Sequence, residues 1–169
     1  LKDASAYNIQ YLQGSPIHID TLSFERYVSG RPWVAYRQFC QHFLAPLALM
    51  AYSDIRLGQL LRIYIDGLPL DLASRFLPLS TWFRFGILSH IHLHAKSQKR
   101  YEDSPGRLPS KKVSKTTLEA LIQHLASTVN RLRWMPVGTE WADYYEDTNY
   151  SEDAADQKKR ILEDFMSET

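Results

Sequence analysis

Three residues near the start of the chain have the types and spacing that Mg²⁺-assisted phosphoryl transfer uses: Asp3, Asn8 and Asp20. Asp3-Ala-Ser-Ala-Tyr-Asn8 has the form D-x-x-x-x-N, and Asp20 follows twelve positions after Asn8. In that chemistry the first carboxylate accepts the proton of the attacking hydroxyl. The Asn and the second Asp hold Mg²⁺ against the nucleotide phosphates. The competing reading is local, because Asn and Asp also serve as turn and cap residues. His90, His92 and His94 form a second group. On a strand all three share a face. On a helix only His90 and His94 do, at the i, i+4 spacing that can bind Zn²⁺. The pattern from Phe83 to Ala95 favours a helix, and no Glu follows His90 as in H-E-x-x-H. Buried, hydrogen-bonded or substrate-contacting histidines are therefore the leading expectation. Cys40, the only cysteine, sits within an apolar helical stripe, where a thiol behaves as a small hydrophobe.

The elements that must position these groups begin with a hairpin over residues 8–20. Asn8 to Leu12 and Pro16 to Asp20 alternate apolar and polar residues around a Gln13-Gly14-Ser15 turn, with Gly14 available for positive φ. From Trp33 the period becomes helical: Trp33, Tyr36, Phe39, Cys40, Phe43, Leu44 and Leu47 recur on one face, and Pro46 predicts a kink or break. Asp54 caps a short helix burying Leu57, Leu60 and Leu61. Pro69 opens another that closes before Pro78. Ser80 or Thr81 is expected to cap a helix running to about Lys96. Thr116-Thr-Leu-Glu119 reads as a capping box for a helix to Arg133, with Leu118, Leu121, Ile122, Leu125, Val129 and Leu132 on its apolar face. Ser151 caps a last helix, acidic at its start and basic further along.

Residues 98–115, with Ser104-Pro105-Gly106 and Pro109, read as an exposed loop. Its cations, Lys99, Arg100, Arg107, Lys111, Lys112 and Lys115, could meet phosphate, but a solvated loop is the leading expectation. Two regions follow. Residues 1–140 form a helical domain, and 141–169 form a linker and helix leading toward a further, C-terminal domain.

The chain has 169 residues, 44% of them hydrophobic, which is enough for a real core. Lys and Arg total 20 against 19 Asp and Glu, so the charge balance gives no electrostatic reason to expect nucleic acid or an anionic membrane as the main partner. A single cysteine forms no internal disulfide and fits a reducing, cytoplasmic setting. The longest apolar run, Phe43 to Tyr52, is half the ~20 residues a membrane span needs. No signal peptide is visible, and a first residue of Leu places the expected natural start upstream. Trp33, Trp82, Trp134 and Trp141 are expected in the core or at domain interfaces.

Two resemblances add to this reading. The D-x-x-x-x-N loop followed by a hairpin and Asp20 resembles the start of the C-lobe of small-molecule kinases of the aminoglycoside and choline phosphotransferase kind. It departs from them in having Leu1-Lys2 before Asp3 and Thr21-Leu22 after Asp20. The fold class it implies is mainly α: a kinase-C-lobe-like helical domain with a short N-terminal β-hairpin. Asp3 would be the base, and Asn8 and Asp20 would take Mg-ATP with a missing N-lobe. More broadly, Trp33 to Leu47, Tyr64 to Ser74, His90 to Ala95, Trp141 to Tyr145 and Thr148 to Ser151 resemble bacterial SAM-dependent methyltransferase proteins of a nodulation-protein-like kind. In those, this region precedes the SAM-binding domain. The seven glycines here never form G-x-G, so no residue of this chain is assigned to SAM. The resemblance implies an accessory or substrate-positioning region. Its partner would be the adjacent methyltransferase domain of the parent chain, together with a small-molecule substrate. The alternatives are the phosphotransferase lobe and a plain interaction domain.

Overall fold

Within the hairpin, Ile9–Leu12 (β1) pairs antiparallel with Ser15–His18 (β2), Leu12 opposite Ser15 and Ile9 opposite His18. The turn is the two residues Gln13 and Gly14, at φ 49° and 76°. Positive φ at both positions matches the twist of the flanking strands. Ser15, expected in the turn, is the first residue of β2. The computed structural model describes residues 1–96, 112–134 and 151–167. These fall in two units, Leu1–Trp134 and Met135–Thr169. Outside the hairpin the regular elements among the described residues are helices, and none of them is long and apolar enough to cross a membrane.

The first long helix shows how Pro46 is accommodated. It runs as α1 (Tyr36–Phe39), a π-helical turn (Cys40–Leu44) and α2 (Ala45–Tyr52), with Pro46 second in α2. The N–H of Ala45 reaches back five residues to the Cys40 carbonyl. In that register residue 46 would donate to the Gln41 carbonyl, but proline has no N–H. The Leu68 N–H donates there instead, at 3.0 Å. The helix therefore continues through Pro46 rather than breaking, and the orphaned carbonyl anchors a distant segment. Gly67 makes this possible. Its φ is 101°, and a Cβ there would lie 2.7 Å from Gln41 Cβ and 2.9 Å from His42 Cδ2.

The π turn also moves the buried face by one residue. The expected stripe ends on Leu47, yet Leu47 is 38% exposed while Leu44, Ala45, Ala48 and Leu49 are buried. An extra residue in one turn rotates everything after it. Asp54 caps a 3₁₀ helix (Ile55–Arg62) through the Arg56 N–H, and Leu57, Leu60 and Leu61 pack half-buried against the core. Pro69 precedes α3 (Leu70–Phe76) as expected.

The expected cap at Ser80 or Thr81 is not used. A 3₁₀ turn (Leu79–Phe83) intervenes, and the helix begins as α4 (Phe85–Ile87), passes through a second π-helical turn (Leu88–His92) and returns to α geometry over 93–96. Thr81 is buried and spends its hydroxyl elsewhere, on the Pro78 carbonyl and His92. The next helix, α5 (Lys115–Asn130), is capped by Ser114, whose Oγ accepts the Thr117 N–H at 3.1 Å. The expected Thr116 box is displaced because Val113 bridges Gly30, which leaves Ser114 as the first free cap. Glu119 pairs instead with Lys115, at 3.8 Å. Of the 98–115 loop, residues 98–111 lie outside the described residues, as do Pro136, Gly138 and the 141–150 segment.

The core of the first unit is built from Leu44, Leu49, Leu68, Leu70, Ile87 and Ile91, all fully buried. Each contributes about 1.5–3 kcal/mol of burial. Leu125 is buried against this core from α5, with Leu121, Val129 and Leu132 half-buried beside it. In the second unit, α6 (Glu152–Ser167) is capped by Ser151, whose Oγ accepts the Ala154 N–H.

Candidate functional site

The loop carrying Asp3 is fastened by one face of the first helix. Gln38 Oε1 accepts the Ala4 N–H at 2.7 Å, and Gln38 Nε2 donates to Asp3 Oδ1 at 2.7 Å. One turn on, His42 Nδ1 accepts the Ala6 N–H at 3.3 Å. Gln38 and His42 are four residues apart, so the helix presents both to the same stretch of loop. The Ser5 N–H also donates to Asp3 Oδ1, at 3.0 Å. His42 is buried, and that burial lowers its pKa despite its hydrogen bond with the Asp66 backbone and the nearby Asp3 charge. The neutral ring can thus accept at Nδ1 and donate from Nε2.

Asn8 and Asp20 meet through a residue that the motif does not contain. Ser23 is buried, and its hydroxyl accepts from Asn8 Nδ2 at 3.1 Å and donates to Asp20 Oδ2 at 2.6 Å. The other oxygen of Asp20 accepts the Leu22 N–H at 2.9 Å and caps the 3₁₀ turn Thr21–Ser23. These two bonds, Ser23 first, lower the Asp20 pKa. The Ile19 N–H donates to the Asn8 carbonyl, and Lys2 N–H to the Ser23 carbonyl, which closes the hairpin base over the loop. The fold therefore gathers Asn8 and Asp20 on Ser23 and holds Asp3 on Gln38. Among the described residues no hydrogen bond joins Asp3 to either of the other two.

The three histidines lie on or just after the second π turn. His92 is fully buried between Ser74, 2.7 Å from Nδ1, and Thr81, 2.9 Å from Nε2, with Trp82 stacked on its ring at 4.3 Å. Because Thr81 donates to the Pro78 carbonyl, its oxygen accepts from Nε2–H, and Nδ1 accepts from Ser74. His90 bonds Tyr36 OH at 2.7 Å and His124 Nδ1 at 2.8 Å, and His94 stacks on Tyr36 at 5.1 Å. Burial, then His124 and His94, push the His90 pKa down to about 4. Cys40 lies against Tyr36, and burial pushes its thiol up to about 12. His90 and His92 thus tie α1, α3, the 3₁₀ turn and α5 to one helix. Among the described residues no three of His, Cys, Asp or Glu come together in a metal-binding group.

Sequence reasoning missed Gln38, His42, Ser23, Tyr36 and His124. A signal existed for two of them: Gln38 and His42 are polar residues set four apart inside an apolar run, a spacing that serves a long-range partner.

No protein-family model matches the chain, and no solved structure does. It is similar to the nodulation protein NoeA of Rhizobium meliloti (strain 1021), with 29% identity over 174 residues, covering 99% of this chain and 36% of that protein. The chain thus spans about a third of that relative's length.

Proposed function

We propose that this chain is a helical scaffold within a longer bacterial protein of the SAM-dependent methyltransferase kind, positioning a small-molecule substrate for a catalytic domain elsewhere in that protein. The observation that carries this reading is how the acidic groups are used. Asp3 secures its loop to Gln38, and Asp20 caps its own turn and anchors Asn8 through Ser23. They serve as fasteners. The similarity to NoeA supports it too, since it covers nearly all of this chain but about a third of that protein. SAM does not fit the described residues. The described sheet is one antiparallel hairpin, with no strand–glycine-rich turn–helix unit to hold a nucleoside. SAM would belong to another part of the parent protein.

One observation favours the alternative, a phosphotransferase lobe: Ser23 brings Asn8 and Asp20 together as a Mg-ATP site would require, with Asp3 then the base.

Variants in the parent protein test the scaffold reading. Under the scaffold reading, Asp3→Asn and Asp20→Asn leave kcat for methyl transfer within about twofold. Gln38→Ala, which unfastens the loop, raises the substrate KM. A loss of about a hundredfold in kcat with Asp3→Asn would assign chemistry to that carboxylate and overturn the scaffold reading.

A further inference from the structure

A cavity of about 600 Å³ lies between the chain start, residues 25–34 and α5. Its volume is that of small-molecule sites, which run from about 300 to 1,000 Å³. The apolar part of its wall includes Val28 and Trp33 on one side and Leu118 and Ile122 of α5 on the other. α5 carries more apolar surface than the core uses. Leu125 is buried, but Ile122, on the same stripe, is 48% exposed and faces this space. Val28 is likewise 48% exposed. The polar part of the wall is Lys2, Arg26 and Arg31 against one carboxylate, Glu25. None of the ion pairs among the described residues uses any of these four.

We propose that this cavity binds an amphipathic organic anion, its ring or short-chain body against Trp33, Leu118 and Ile122 and its acid group on Arg26 and Arg31. Two guanidinium groups present the planar, paired donors that carboxylate, sulfonate and phosphate oxygens accept. Trp33 is fixed for the purpose, because its indole N–H donates to the Leu1 carbonyl at 2.8 Å and its ring packs on Tyr36 and Phe39. The inference does not rest on the scaffold reading, since a scaffold or an enzyme can hold such a ligand. Its test is binding, which methyl transfer does not report.

The probe is anilinonaphthalene sulfonate, an aromatic sulfonate whose fluorescence rises in apolar surroundings, titrated into the 169-residue chain. Saturable one-to-one binding is expected, with phenylnaphthylamine, the same body without the charge, binding much more weakly. The double variant Arg26→Ala/Arg31→Ala should weaken sulfonate binding at least about tenfold. Ile122→Trp, which fills the cavity, should abolish it. Val28→Trp fills it from the opposite wall and covers the case where α5 repacks. Circular dichroism checks the fold of each. Absence of binding, or binding that both tryptophan variants leave intact, would overturn the site. Binding blocked by the tryptophans but indifferent to the arginine pair and the missing charge would overturn the anion assignment.

Discussion

Acid should loosen this fold through His90, starting as pH falls below about 6.5. His90 is 2% exposed, and its ring sits among Tyr36, His94 and His124. Its folded pKa of about 4 lies below the ordinary 6.5, with burial as the main cause. The unfolded chain therefore binds this proton first as pH falls. The stability His90 contributes is complete above 6.5 and is lost progressively down to about 4. At about 1.4 kcal/mol per pH unit the interval is worth about 3 kcal/mol. His124 beside it is only partly buried, so solvent screens part of this, leaving about 2 kcal/mol. His42, His92 and His94 are also lowered by burial and act in the same direction. Asp54, held at about 2 by Arg56, and Asp20 lose their contributions only below the ordinary carboxylate value of 3.8. Urea unfolding at about pH 7.5, 6, 5 and 4.5, followed by tryptophan fluorescence, measures the slope. His90→Gln keeps a hydrogen-bonding side chain but cannot take up a proton. It should be less stable than the parent at neutral pH and lose about 2 kcal/mol less on acidification. Equal slopes for variant and parent would refute the assignment of this acid lability to His90.

Two further substitutions test the helix and its loop. Gly67→Ala forces a Cβ against Gln41 and His42 at a φ of 101°, so about 2–4 kcal/mol of destabilisation is expected by urea unfolding, from left-handed strain plus overpacking. Gln38→Ala leaves the buried Ala4 N–H without its acceptor and should cost about 2–3 kcal/mol. Gln38→Glu restores that acceptor but sets a second carboxylate against Asp3, so by urea unfolding it should also fall short of the parent at neutral pH.

Much of the fold is legible in the residue pattern because its signals are local. The Gln13-Gly14 turn, Asp54 and Ser151 as caps and Pro69 before α3 each act within four residues of themselves. The π turns are not legible, because a turn with an extra residue breaks the 3.6 period on which the reading depends. Pro46 signalled a disturbance, but its outcome was set by Leu68, whose N–H reaches the Gln41 carbonyl from twenty-seven positions away. Thr81 and Ser114 show the same limit for caps. Several Ser and Thr residues compete near each helix start, and contacts from His92 and from the Val113–Gly30 bridge decide among them. At the candidate site the motif spacing singled out Asn8 and Asp20 but not Ser23, the residue that joins them, and it was silent on Gln38 and His42, which reach the loop across 34 and 36 residues.

The central claim is that Asp3, Asn8 and Asp20 hold the loop and hairpin together rather than a nucleotide. The most direct measurement is a calorimetric titration of the chain with ATP in Mg²⁺, run beside Asp20→Ala. The account predicts no saturable Mg²⁺-dependent heat in either protein, and a lower unfolding midpoint for Asp20→Ala. Saturable Mg-ATP binding that disappears in the variant would contradict it and make these residues a phosphotransfer site.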